Sequence, residues 1–187
     1  MTSRKKIIGI SGAFGSGKST VAEALQNFGF QKISLSSFLE EELQKRDEPV
    51  TRKKLQDLGN AWREQLGNDI LVQKALDYAK KNNWDEIVIE GFRNSAEIIS
   101  LRSYKALIVS VVANRDIRFA RLKDLKRREA LTEKLFEELD NRDLGIGEKE
   151  SGLQTALCIA MADIFIENNG SLGELEVKVK ELVNNYE

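Results

Sequence analysis

Gly12-Ala13-Phe14-Gly15-Ser16-Gly17-Lys18-Ser19 fits the pattern G-x-x-x-x-G-K-[ST] of a phosphate-binding loop. Glycines let successive backbone N–H groups turn inward around phosphate oxygens, and a helix opening at the end of the loop adds its dipole. Lys18 is then expected to reach the terminal phosphates, and the Ser19 hydroxyl to ligate Mg²⁺. The surroundings agree with the motif. An apolar run, Lys6 to Ile10, comes before it. A helical stripe of Val21, Ala24, Leu25 and Phe28 follows within Thr20 to Phe28 and stops at Gly29.

Further apolar runs at Glu86 to Ile89 and Leu107 to Val112 read as buried strands. Asp163 to Glu167 alternates more weakly, and Gln31 to Ser34 is a fifth candidate. Segments of helical period lie between them: Ser37 to Lys45, Thr51 to Leu66, Ile70 to Lys81, Ser95 to Leu101, Arg115 to Arg128, Thr132 to Asn141 and Leu172 to Val183. Ser37 with Glu40 has the spacing of a capping box. Strands alternating with helices predict an α/β fold in three layers, with a parallel sheet covered on both faces.

The chain has 187 residues, 29 basic and 30 acidic side chains, one cysteine (Cys158) and no histidine. Its length suits one domain. Without histidine, imidazole-based zinc sites and Ser-His-Asp or Cys-His catalysis are excluded. A single cysteine excludes an internal disulfide and points to a cytoplasmic setting. The balanced charge gives no reason to expect a nucleic-acid polymer as partner, and no apolar run is long enough for a membrane span. The start, MTSRKK then IIGIS, has too short an apolar part for a signal peptide. Among phosphate-loop proteins, the N-K-x-D and LSGGQ patterns are missing. The chain is also too short for an AAA+ module with its helical lid. A compact kinase acting on a small molecule fits best.

Such a kinase needs cations for a phosphate-bearing acceptor, and the arginine fork suits phosphate oxygens. Arg93 lies in Val88-Ile89-Glu90-Gly91-Phe92-Arg93-Asn94, just past a strand end, where open α/β sheets bind ligands. Glu90 is expected beside the Mg²⁺ or orienting the acceptor. Arg63, on the helix of Trp62, reads equally as ligand or solvated residue. Arg52, at a helix start, has the same two readings. In Ser34-Leu35-Ser36-Ser37, Ser36 either contacts the acceptor or caps a helix. The run from Arg115 to Arg128 holds seven basic residues against two acids, the composition of a lid over phosphates. Arg121, Arg127 and Arg128 are its candidate ligands, and Arg142 is expected to return to the phosphates after the next helix. The turn Asn168-Asn169-Gly170-Ser171 either wraps a purine with backbone groups or is a plain turn.

GISGAFGSGKSTVAEAL, ISLSSFLEEE, TRKKLQDLGNAWREQLG, VIEGFRNSAEI and ADIFIENNGSL, in that order, resemble the phosphate-loop nucleotide kinases. The likeness is greatest to dephospho-CoA-kinase-like and (deoxy)nucleoside monophosphate kinases, and spans nearly the whole chain. The resemblance implies an adenylate-kinase-like, three-layer α/β/α phosphate-loop NTPase fold with five parallel strands in the order 2-3-1-4-5. It implies MgATP as donor and a nucleotide acceptor, with acceptor-binding helices in residues 35–82 and a lid in 115–142. By position, Gly12 to Thr20 bind ATP and Arg93 meets the acceptor phosphate. Arg63 lies on the acceptor side, the lid arginines lie over the γ-phosphate, and Asn169 and Gly170 lie near the adenine. Dephospho-CoA kinases carry a histidine-proline pair that this chain lacks, which favours a monophosphate acceptor. The expected protein is a monomer or homodimer. The alternatives are a dephospho-CoA kinase, an ATP-binding module without turnover and a kinase for a non-nucleotide small molecule.

Overall fold

Residues 6–125 and 130–186 are described by a computed structural model. Five strands, β1 (Lys6–Ser11), β2 (Gln31–Ser34), β3 (Glu86–Glu90), β4 (Leu107–Val112) and β5 (Ile164–Glu167), form one sheet. The order is β2-β3-β1-β4-β5 and every pairing is parallel, as the resemblance implied. Nine helices are described: α1 (Lys18–Gln26), α2 (Leu35–Lys45), α3 (Arg52–Leu66), α4 (Ile70–Lys81), α5 (Ser95–Ser103), α6 (Arg115–Asp124), α7 (Glu133–Leu144), α8 (Thr155–Ala160) and α9 (Leu172–Tyr186).

Alternate strand residues feed two separate cores, which is why the strands read as unbroken apolar runs. Ile7, Ile33, Ile87, Ile89 and Ile108 face α2, α3, α4, α5 and α8. Ile8, Ile10, Val88, Val109, Val111 and Ile166 face α1 and α9. Fully burying each such side chain is worth about 1.5–3 kcal/mol. A third cluster sits above the carboxyl edge of the sheet. There Phe14 of the phosphate loop packs on Phe136 and Leu139 of α7, with Phe119 and Leu122 of α6 against them.

Helix starts depart from expectation at functional places. α1 begins at Lys18, so Lys18 and Ser19 occupy its first turn. α2 begins at Leu35, and the Ser37–Glu40 capping box does not form. Instead Ser37 Oγ donates to the Ser34 carbonyl and Ser36 Oγ to Glu40. α3 is capped by Thr51, whose Oγ1 accepts from Lys54 N at 3.3 Å. α7 runs to Leu144, so Arg142 lies inside it rather than after it. The expected lid helix ends at Asp124, and Lys126, Arg127 and Arg128 lie outside the described residues. α8 was not expected: six residues are too few to show a helical period, yet Cys158 buries completely in the core.

Candidate active site

The phosphate loop joins the carboxyl end of β1 to α1, next to the end of β3. Gly12 (φ 146°) and Gly17 (φ 98°) take backbone conformations that side chains rarely adopt. A Cβ at Gly12 would run into the Val111 carbonyl, and one at Gly17 into the Asn168 amide. The loop is therefore glycine at these points for both backbone and space. Lys18 is buried and its Nζ donates to the Ala13 carbonyl at 3.0 Å. Burial first, then the Arg93 guanidinium, lower its pKa to about 7. Glu90 opposes that shift, while Arg52 and Arg118 add to it.

Ser19 Oγ donates to Glu90 Oε1 at 3.1 Å, bringing the first turn of α1 against the last residue of β3. A hydroxyl and one carboxylate are the hard-oxygen set that Mg²⁺ takes when phosphates and waters complete its shell. No group of three or more His, Cys, Asp or Glu gathers to hold a metal among the described residues. The Ser19 hydroxyl and Glu90 carboxylate are the residues that would hold a phosphate-bound Mg²⁺.

In front of the loop lies a cleft of about 700 Å³. Phe14, Gly15, Gly17, Lys18, Ser19 and Thr20 line its near wall. Gly12, Ala13 and Ser16 stand behind as the frame, where Ser16 N donates to the Ala13 carbonyl. Ser36, Arg52, Arg63, Glu90 and Arg93 line the cleft too, so five expected acceptor-side residues converge there. Arg63 is only 2% exposed, and the solvated reading of it falls. Its Nε donates to Glu97 Oε1 at 3.2 Å. Arg52 lies 3.6 Å from the Phe14 ring centroid, a cation–π contact rather than a solvated first turn. Arg93 contacts Asp143, and burial followed by the nearby Arg63 lowers its pKa to about 10, so it stays charged at neutral pH.

Arg121 lines the cleft and donates to the Asn168 carbonyl at 2.8 Å, tying α6 to the loop after β5. Two expectations need correction. Arg142 does not reach the cleft lining. Its guanidinium is taken up by Asp57 and Glu148, both at 2.6 Å, and so links α7 to α3. Asn169 and Gly170 are also outside that lining. Asn169 Oδ1 accepts from Asn114 N, while its Nδ2 donates to Glu167. Their neighbour Asn168 does the structural work, its Nδ2 donating to the Ser16 carbonyl at 2.9 Å. Arg128 lies outside the described residues.

The AAA_18 family, described as an AAA domain, matches residues 8–145. A UPF0200 protein of Thermococcus gammatolerans is 33% identical over 186 residues, covering 95% of this chain and 93% of its own. The UPF0200 protein TK1334 of Thermococcus kodakarensis is 32% identical over 187 residues, covering 95% and 96%. The chain belongs to the UPF0200 family. A shikimate kinase structure from Bacteroides thetaiotaomicron superposes with a TM-score of 0.59 at 16% identity, over 96% of this chain and 98% of the other. The UPF0200 chain therefore has a phosphate-loop kinase-like fold.

Several residues of this UPF0200 site escaped the sequence reading. Arg118 grips Asp140 with two bonds of 2.5 and 2.8 Å and donates to the Phe14 carbonyl at 2.8 Å, bracing the loop from α6 and α7. Glu97 closes the capping box of α5 with Asn94 while holding Arg63. Asp143 and Gln56 line the cleft from α7 and α3. The one available signal was acids interrupting the apolar face of Phe136 and Leu139 on α7, a placement that calls for a partner.

Proposed function

We propose that this protein transfers the γ-phosphoryl group of ATP to a small-molecule acceptor bound in the cleft. The observation that carries this reading is the convergence of the loop, Lys18, the Ser19–Glu90 pair and four arginines on one cavity. Phosphoryl transfer asks mainly for positioning and charge neutralisation. Lys18 and the α1 N-terminus supply both at the near wall, and Arg121 faces the same space. Bound at Ser19 and Glu90, Mg²⁺ would neutralise phosphate charge. Fold likeness to a shikimate kinase supports a small-molecule acceptor.

Two acceptor classes divide the reading. A nucleoside or deoxynucleoside monophosphate attacks through a phosphate oxygen that is already anionic and needs no base. A hydroxyl acceptor, as in the dephospho-CoA alternative, needs a carboxylate within reach, and Asp143 at the cleft wall meets that need. A coupled ADP-release assay across NMPs, dNMPs and dephospho-CoA tests the common claim. Acceptor-dependent ADP release is expected. Tight ATP binding with ADP unchanged for every acceptor, hydroxyl compounds included, would leave a non-catalytic ATP-binding module in its place.

A further inference from the structure

Among the described residues, two buried oxygens on the acceptor side of the cleft find no hydrogen-bond donor. Gln56 is 7% exposed and Asp143 2%, and both line the cavity. Gln56 Nε2 donates to the Leu139 carbonyl at 3.3 Å. A carbonyl only accepts, so this bond fixes which way the amide lies and leaves Oε1 as an acceptor. Gln56 Oε1 has no partner. Asp143 Oδ1 is held by Arg93, and Asp143 Oδ2 has no partner either. Leu139 and Asp143 are four residues apart on α7, one turn or about 6 Å along the helix, so the two oxygens belong to one patch. Leaving a buried acceptor unsatisfied is costly, and such groups call for an explanation.

Two of the arginines lining this part of the cleft are in ion pairs with acids. Arg63 is tied to Glu97 and Arg93 to Asp143. A phosphate dianion brought here would offer no donor to either oxygen and would meet the Asp143 carboxylate as a like charge. A hydroxyl does the reverse: it donates to the oxygen and adds no charge. Arg93 also lies close enough to Lys18 to depress its pKa, so Asp143 is one guanidinium away from the phosphate-loop lysine.

Resting on the phosphotransfer reading above, we propose that the acceptor is a hydroxyl-bearing small molecule phosphorylated on a carbon-bound oxygen, with Asp143 as its base and Gln56 as a second contact. The acceptor O–H proton passes to Asp143 Oδ2 as its oxygen forms a bond to the γ-phosphorus of the nucleoside triphosphate. The bond from that phosphorus to the β,γ-bridging oxygen breaks, and its electron pair leaves on the nucleoside diphosphate. The proton on Asp143 then returns to solvent. Arg93 holds the carboxylate in place. Gln56 Oε1 accepts from another O–H or N–H of the same molecule, so the acceptor carries at least two donors.

The test incubates the full chain and MgATP with two panels and reads the product by ³¹P NMR. One panel holds nucleosides, hexoses, shikimate and dephospho-CoA, and the other NMPs and dNMPs. A new phosphomonoester signal supports the proposal. A new phosphoanhydride from the monophosphates overturns it while phosphotransfer stands. No product with either panel, although ATP binds, overturns both. With the acceptor found, Asp143→Asn is expected to lower kcat by about 10²–10⁴-fold at unchanged ATP affinity. The wild-type kcat should fall on the acid side of its pH profile, and Asp143→Asn should lose that limb. Unchanged kcat in Asp143→Asn overturns the base assignment. Should that variant not fold, Gln56→Leu decides the acceptor patch: a raised acceptor KM at unchanged ATP affinity supports it, and an unchanged KM overturns it.

Discussion

The near wall of the cleft comes from one short stretch of sequence, Phe14 to Thr20, with Phe14, Gly15, Gly17, Lys18, Ser19 and Thr20 in its lining. The far wall is assembled from α2, α3, the turn after β3 and α7, and two of its arginines are joined to acids: Arg63 to Glu97, Arg93 to Asp143. The near wall thus presents an excess of positive potential suited to a polyphosphate. The paired groups of the far wall are suited to reading shape and hydrogen-bond donors. Cations at an active site are therefore not equivalent. A basic residue attracts an anion only to the extent that the fold has left its charge unmatched.

Lys18→Ala should break the near wall outright. Loss of a preorganised charge at the developing anion predicts about a 10²–10³-fold fall in kcat, read by coupled ADP release. Near-normal turnover would mean that the wall does not hold the reacting phosphates. Arg118→Ala probes the brace beneath that wall. It strands Asp140 as an uncompensated buried charge, and urea unfolding should show a loss of about 3–5 kcal/mol. The Arg118→Ala, Asp140→Ala double variant should lose less than the two singles combined.

A smaller effect separates the walls by pH. The folded pKa of Lys18, about 7, lies below its usual value of 10.5. Between those values the unfolded chain binds the proton that the folded chain has released. The contribution of Lys18 therefore disfavours folding fully below pH 7 and is relieved as pH rises towards 10.5. The difference in Tm between wild type and Lys18→Met should change in this direction across pH 7–10, and a pH-independent difference would refute it. In the same window, polyphosphate binding should take up protons, measurable by titration calorimetry in buffers of different ionisation enthalpy. The least effect belongs to Arg142→Ala. This part-exposed link to Asp57 and Glu148 should cost no more than about 1 kcal/mol in urea unfolding and leave ADP release unchanged.

How much was legible in the sequence follows the same division. Phosphate-binding loops work through consecutive residues, so the pattern at Gly12–Ser19 exposed the near wall directly. The strands were legible because burial on both faces leaves apolar runs such as Leu107 to Val112. Arg93 and Glu90 were found through their place at a strand end. Gln56, Asp140 and Asp143 were not, because their importance comes from contacts across long separations: Gln56 bonds a carbonyl 83 residues away. Arg142 and Arg118 show the ambiguity most plainly. Both are arginines in charged helices, and only the carboxylates opposite them decide that one braces the loop and the other links two surface helices. Helix α8 was missed for want of length.

The bond from Asn168 to the Ser16 carbonyl spans 152 residues. The phosphate loop therefore acquires its full set of contacts only once β5 and the turn after it are in place. The first strand and its glycine turn exist early, but the shoulder at Gly17 has no neighbour until β5 has docked beside β4. A chain lacking Asn168 would leave the Ser16 carbonyl without this partner and Gly17 without its neighbour.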